Sequence, residues 1–248
     1  MAVDINIVYQ KVLALANKEQ RGYITPQEFN LLADKVQLEI FNNYFHKIKL
    51  TDKKPQSQED YADELEMIEE KLHPFHVDET VTTSTASLTL PTNMNKIISI
   101  TRNGNEVTQL NKHQIAYTEN NPLLKATLTR SVFVREDSGV VTIYPSPSVS
   151  TYDTSTNTDN DSPTATFEAE AFEVSYYKKP TPPSWGYIIV NGKPLYNSNT
   201  SVNFELHGSE EEVIVYRILT LAGLTTKSPD LQQMGVGGLQ LNKQEQNS

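Results

Sequence analysis

The hydrophobic period of this chain changes at about Val77, and that change constrains the fold more than any other feature. Before it, apolar residues recur every three or four positions; after it, they alternate with polar ones. Helices grouped ahead of a run of short strands specify an α+β fold with a mainly antiparallel sheet.

In the helical part, Ile5, Val8, Val12 and Leu15 share one face, with Leu13 and Ala16 beside them and Asp4 as N-cap. Asn17 to Gly22 interrupts the pattern. Thr25, Pro26 and Glu28 then supply a cap, a first-turn proline and the third-position acid of a capping box. Phe29, Leu32, Val36 and Ile40 follow as a stripe, extended by Phe41, Tyr44 and Phe45. This predicts a helix from Pro26 to about Ile48, on the order of 33 Å long. Lys49 to Gln56 reads as a connection. Ser57 and Asp60 open a third helix through Tyr61, Leu65, Ile68 and Leu72, which Pro74 stops. These narrow stripes suit a helical hairpin or small bundle.

In the strand part, Ser87 to Leu90, Lys96 to Ile100, Ser131 to Arg135, Gly139 to Tyr144 and Glu170 to Lys178 are strand candidates. Asn103-Gly104 and Asn191-Gly192 stand between strand-like runs and predict hairpins, the second joining Tyr187–Val190 to Pro194–Tyr196. Asn111 to Tyr117 predicts one helical turn. About seven strands fit an antiparallel sandwich or barrel. Glu210 to Gly223 returns to helix, with Val213, Tyr216, Leu219 and Ala222 on one face and Gly223 as C-cap. The expected division is a helical region at 1–76, an antiparallel β domain at 77–206 with a long polar loop at 152–166, a helix at 207–223, and an extended docking tail at 224–248. The tail holds Gly235, Gly237 and Gly238 and single apolar residues. Of these, Leu231, Met234, Val236, Leu239 and Leu241 are the expected interface residues.

The chain's 21 basic and 31 acidic residues leave a net charge of -10, which argues against a nucleic-acid binder. The absence of cysteine excludes a disulfide framework, Cys-ligated zinc, iron–sulfur clusters and thiol catalysis. Met1-Ala2-Val3-Asp4 does not resemble a targeting signal. The longest mostly apolar window, Val213 to Leu224, contains Arg217 and falls well short of the about 20 residues a membrane span needs. A soluble protein made in the cytoplasm, with no membrane partner, is the expectation.

Few residues suggest chemistry. Asn157, Asp159, Asp161 and Glu168 copy part of a calcium-loop spacing. However, position one should be Asp, and Ser162 replaces the required glycine. A solvated polar loop is the reading, with no metal or cofactor. His73 and His76 flank Pro74, which keeps them off one helix face. Glu210-Glu211-Glu212 favours a helix dipole rather than paired acid–base work. Phosphate-loop, Gly-x-Ser-x-Gly and His-Glu-x-x-His motifs are absent from the sequence. Trp185, after Pro180-Thr181-Pro182-Pro183, reads as a packing anchor. No enzyme is expected.

Three stretches carry a resemblance. They are Asn17-Lys18-Glu19-Gln20-Arg21-Gly22-Tyr23-Ile24-Thr25-Pro26-Gln27-Glu28-Phe29-Asn30; Val174-Ser175-Tyr176-Tyr177-Lys178-Lys179-Pro180 running to Trp185-Gly186-Tyr187; and Phe204-Glu205-Leu206-His207 with Leu221-Ala222-Gly223-Leu224 and Leu231-Gln232-Gln233. Together they resemble virion structural proteins of short-tailed bacteriophages, especially crAss-like phages, that form the rings joining portal to tail. The resemblance implies a head-to-tail connector or tail-ring (adaptor) subunit, made in the host bacterial cytoplasm and located in the virion. Its implied partners are further copies of itself, commonly twelve, the portal protein or adjacent tail rings, and double-stranded DNA passing through the lumen without specific binding. Twelve copies at -10 each would total about -120, a wall that repels phosphate during genome ejection. The alternatives are a receptor- or glycan-binding β module, and a hydrolase, which would need a pocket of convergent acids.

Overall fold

The computed structural model of the chain describes residues 2–18, 24–51, 58–136, 139–147, 149–152, 165–167, 169–225 and 229–246. In chain order its elements begin with β1 (Ala2–Val3), α1 (Ile5–Lys18), α2 (Pro26–Thr51), α3 (Gln58–Leu72), β2 (His76–Thr83), β3 (Ser87–Thr89) and β4 (Met94–Arg102). Next come β5 (Asn105–Glu106), β6 (Thr108–Leu110), α4 (Lys112–Asn120), β7 (Val132–Arg135), β8 (Val140–Tyr144), β9 (Val149–Tyr152) and β10 (Ala165–Phe167). The chain continues with β11 (Glu170–Lys178), β12 (Tyr187–Val190), β13 (Lys193–Tyr196), β14 (Phe204–His207), α5 (Glu211–Thr225) and α6 (Pro229–Gln246). Helices and mainly antiparallel sheets make this an α+β fold.

The chain forms two compact units: Met1–Phe75 with Pro180–Ser248, and His76–Lys179. Residues 180–206 therefore do not belong to the β domain, as the sequence pattern suggested; they pack with the helices. The reason lies in two amides on α2. Gln37, fully buried, donates to the Thr181 carbonyl at 2.7 Å and accepts the Glu205 N–H at 3.0 Å. Asn30 accepts the Trp185 N–H at 2.8 Å and donates to the Trp185 carbonyl at 3.3 Å. Seven residues apart, the two amides lie on one face of the helix and fix the returning strand segment by its backbone. β1 pairs antiparallel with β14 and closes the same unit.

The start signals of the first two helices hold, while Gly22 and Ser57 lie outside the described residues. Thr25 and Glu28 form a reciprocal capping box: the Thr25 N–H donates to Glu28 Oε2 at 3.0 Å, and the Glu28 N–H to Thr25 Oγ1 at 3.3 Å. The backbone and hydroxyl of Thr25 hold the Glu28 carboxyl below its ordinary pKa. Asp4 Oδ1 accepts the Asn6 N–H at 2.7 Å. Ile5, Val8, Val12 and Ala16 are buried on α1, and Phe29, Val36, Ile40, Phe41 and Tyr44 on α2. Leu15 is only half-buried and faces a groove instead.

The C-terminal segment differs most from its expected form. Rather than an extended tail, residues 229–246 form α6, which packs along α5. A Cβ on Gly235 would fall 2.7 Å from Thr220 N and 2.8 Å from Tyr216 O, and one on Gly238 would fall 2.4 Å from the Tyr216 ring. The two glycines are thus the close-approach face of a helix pair, where their unfavourable helix propensity is offset by backbone proximity. α5 is buried between this contact and α1 and α2. This explains why Ile214, Val215 and Ile218 are buried beside Leu219 and Ala222, whereas the expected face residues Val213 and Tyr216 are half-buried. Gly223 lies inside α5, which runs on to Thr225, so it is not the C-cap.

The second unit has two four-stranded sheets, β2-β11-β4-β5 and β3-β8-β7-β6, with β6–β7 as a parallel pair. Leu88, Leu90, Ile100, Val107, Phe133, Val141, Ile143, Phe172, Val174 and Tyr176 form its core. Asn103 and Gly104 have φ of 49° and 77°, and Asn191 and Gly192 have 52° and 75°, the left-handed pair of a type I′ turn. α4 exceeds the expected single turn and starts on an Asn111–Gln114 capping box. The ends of the 152–166 loop are strand, because Tyr152 closes β9 and Ala165 opens β10; the rest lies outside the described residues.

One charge sits inside this β unit. Arg102 is fully buried and bidentate on Glu170, at 2.8 and 2.5 Å, with the Pro145 carbonyl at 2.8 Å and the Phe172 ring 5.5 Å from its guanidinium carbon. Arg102 hydrogen bonding, opposed by burial, lowers the Glu170 pKa. Its folded pKa therefore lies below the unfolded value of about 4.3. The stabilisation is present above that value and is lost as pH falls through the folded pKa. Glu170→Gln should cost about 3 kcal/mol at neutral pH by leaving a buried guanidinium without its counter-charge, and should flatten the acid limb of a pH–stability curve measured by urea melts. The glycines of α6 give a second test. Gly237→Ala meets nothing within 4 Å and should stabilise the protein by about 0.5–1 kcal/mol. Gly235→Ala should destabilise it and speed amide exchange across 229–246.

Candidate interaction surface

The surface of the helical unit is organised around Trp185. Its ring lies 4.4 Å from Tyr9, 5.8 Å from Tyr187 and 5.8 Å from Tyr196, and its Nε1–H donates to Asn6 Oδ1 at 3.2 Å. Only 5% exposed, it is a packing anchor that seats the β12–β13 hairpin beside α1. Between them is an open groove of about 680 Å³ lined by Asn6, Tyr9, Gln10, Leu13, Trp185 and the 192–196 stretch. A second, mostly apolar groove of about 290 Å³ lies between α1 and α5, lined by Lys11, Ala14, Leu15, Glu212, Val215 and Tyr216. Lys11 crosses to Glu211 at 2.6 Å along it.

The hairpin itself is apolar on both faces. Its register pairs Ile188 with Leu195 and Ile189 with Pro194. Beyond Tyr187–Tyr196, the Gly186–Asn197 pair is hydrogen-bonded, Asn197 N–H to the Gly186 carbonyl at 2.9 Å. Alternation therefore makes Ile189–Pro194 a non-hydrogen-bonded pair, so Pro194 costs the ladder no bond. Tyr187 and Tyr196 share the face toward Trp185. By strand alternation Ile188, Val190 and Leu195 lie on the opposite face, with Leu195 and Lys193 also reaching the rim of the groove, and the three are 51%, 42% and 50% exposed. Sequence reasoning placed the hairpin but missed this surface. The signal was available: Ile188-Ile189-Val190 does not alternate, which is the pattern of a strand covered on both sides.

The expected interface residues of the C-terminal segment do not form one patch. The Leu231 side chain lies outside the described residues, and Met234 and Leu239 are half-buried. Val236 and Leu241 are exposed but roughly 140° apart around α6 at 100° per residue. The calcium candidates Asn157, Asp159, Asp161 and Glu168 all lie outside the described residues. His76 stands 3.7 Å from Asp78, and among the described residues no three His, Asp or Glu side chains converge as a metal would need.

The three consecutive acids diverge. Glu210 is buried and paired with Lys71 at 2.8 Å, Glu211 reaches Lys11, and Glu212 is exposed at the second groove. Tyr44 lies beside Glu210, and its pKa is raised, first by burial and then by that carboxylate. Arg217 pairs with Glu39. This cluster joins α2, α3 and α5. The Glu210 carboxylate beside this buried phenol is already committed to Lys71, so the ion pairs of the cluster link the helices. In the β unit, Tyr117 on α4 and Leu123, Leu124 and Leu128 in the irregular stretch after it are also exposed, apolar residues the sequence pattern did not single out. No helix among the described residues is long and apolar enough to cross a membrane.

No protein-family model matches the chain, and no curated protein matches it in sequence.

The amides of α2 carry the placement of the hairpin, and their removal should show it. Gln37→Leu orphans the Thr181 carbonyl and the Glu205 N–H, at about 1–3 kcal/mol for each group left unsatisfied. The expected result is a lowered midpoint in urea and faster amide exchange at 181–205, with the β unit's protection unchanged.

Proposed function

We propose that the protein is a structural subunit of a virion, forming a ring of the portal–tail connector in a short-tailed, crAss-like bacteriophage. The observation that carries this reading is the surface of the helical unit. An apolar hairpin stands half exposed at Ile188, Val190 and Leu195 on a chain of net charge -10, and its chemistry is that of assembly. Large exposed apolar surface on a soluble chain marks a protein contact. The resemblance of the three sequence stretches supplies the kind of assembly. In that setting the partners are neighbouring copies, twelve in the commonest arrangement, with the portal or an adjacent tail ring above and below. An acidic ring lets duplex DNA slide through, since it offers no array of Lys and Arg to release counterions from phosphate.

A second reading rests on the groove beside Trp185, where Tyr196, Asn6 and Gln10 offer an aromatic ring and amides. That pairing suits a sugar ring, and makes receptor or glycan binding the alternative.

Purified full-length protein mixed with portal rings should assemble into a closed ring visible by electron microscopy, and the ring should not retain duplex DNA at physiological salt. Failure to associate with any virion component would remove the connector reading. A rise in melting temperature with oligosaccharides, in a protein that stays monomeric, would favour the alternative.

A further inference from the structure

We infer that the lateral contact of the assembly is head-to-tail: the outer face of the β12–β13 hairpin in one copy seats in the α1–α5 groove of the next. The inference rests on the ring reading and names its interface. Both halves belong to the same compact unit, so every copy presents a projecting part and a receiving part. At 100° per residue, the hairpin-side residues of α1 (Asn6, Tyr9, Gln10, Leu13) and the groove-side residues (Lys11, Ala14, Leu15) lie roughly 140° apart around the helix. A contact joining two such different patches is heterologous, the type that propagates and closes into a ring.

Charge selects a second copy as occupant. Copies of net charge -10 repel unless they meet where acid is scarce. Residues 180–204 contain no acid and one base, Lys193. By strand alternation Lys193 shares the outer face with Ile188, Val190 and Leu195. The receiving groove is apolar at Ala14, Leu15 and Val215, its one base, Lys11, is already paired with Glu211, and it carries exposed Glu212. Seating the hairpin there covers aliphatic side chains and brings Lys193 toward Glu212. Two hairpins meeting face to face would offer Lys193 no acid, since residues 180–204 contain none. The groove's volume of about 290 Å³ is at the bottom of the small-molecule range of about 300–1,000 Å³, and fits a few side chains better than a free ligand.

The chain has no cysteine, so Ile188→Cys and Ala14→Cys each introduce a sole thiol at an exposed site. The two full-length variants are mixed under mild oxidation, in solution and on portal rings. A disulfide forms only where Cα atoms come within about 7 Å. The mixed dimer should exceed either homodimer by at least about tenfold, a preference of about 1.4 kcal/mol. Adding Leu195→Asp to the I188C chain should abolish it while leaving the melting temperature within a few degrees. An I188C homodimer as the main product would put hairpin against hairpin and overturn the head-to-tail contact, as would a cross-link that survives Leu195→Asp. Rings that form without the 188–14 cross-link would overturn this contact and leave the ring reading standing. No oligomer of any kind, on the portal or off it, would remove both.

Discussion

The helical unit depends on two side-chain amides of α2 that hydrogen-bond backbone rather than other side chains. Gln37 holds Thr181 and Glu205, and Asn30 holds both polar groups of Trp185. Without these bonds, the Thr181 carbonyl, both backbone groups of Trp185 and the Glu205 N–H would lie unpaired against a helix face that has no ladder to offer them. With them, a strand-like segment can lie on a helix and remain satisfied. Everything exposed in that unit follows. Trp185 is placed against Tyr9, the hairpin is carried outward from Trp185, and β14 returns to pair with β1.

Local chemistry was legible in the sequence, and long-range partnership was not. The Thr25–Glu28 capping box and the two Asn-Gly turns were readable because three or four adjacent residues determine them. The boundary of the β unit was not, because its deciding contacts join Gln37 to Thr181 and Glu205 across more than half of the chain. α6 was missed for a related reason. Three glycines within four residues argue against helix on propensity, and only the position of Thr220 and Tyr216 on the facing helix turns Gly235 and Gly238 into packing residues. The α5 pattern misled in the opposite direction. A helix covered by α1, α2 and α6 needs no single stripe, so its apolar run gave no reliable face.

The two units store polarity in different ways, and each limits what the unit can do. In the β unit, Arg102 is buried with Glu170, Pro145 and Phe172 supplying charge, carbonyl and ring. This fully buried guanidinium engages four of its five N–H donors inside the unit. In the helical unit, Lys71–Glu210 and Arg217–Glu39 join three helices near α5. These ionic groups act inside their units as links between elements. Exposed aliphatic and aromatic side chains are then available for contact outside, Ile188, Ile189 and Leu195 in one unit and Tyr117, Leu123 and Leu124 in the other.

Such a division has a consequence for assembly. At physiological ionic strength the Debye length is about 8 Å, so in the proposed assembly the acidic excess of one copy would be felt by the next only near contact. It opposes docking wherever carboxylates meet, and a non-acidic hairpin is then the surface with the least repulsion to overcome. Burial of Ile188, Val190 and Leu195 would supply attraction at roughly 25 cal/mol per Å², independent of salt, while added salt would weaken the residual repulsion. Association through this face should therefore strengthen as ionic strength rises, the reverse of an assembly held by ion pairs.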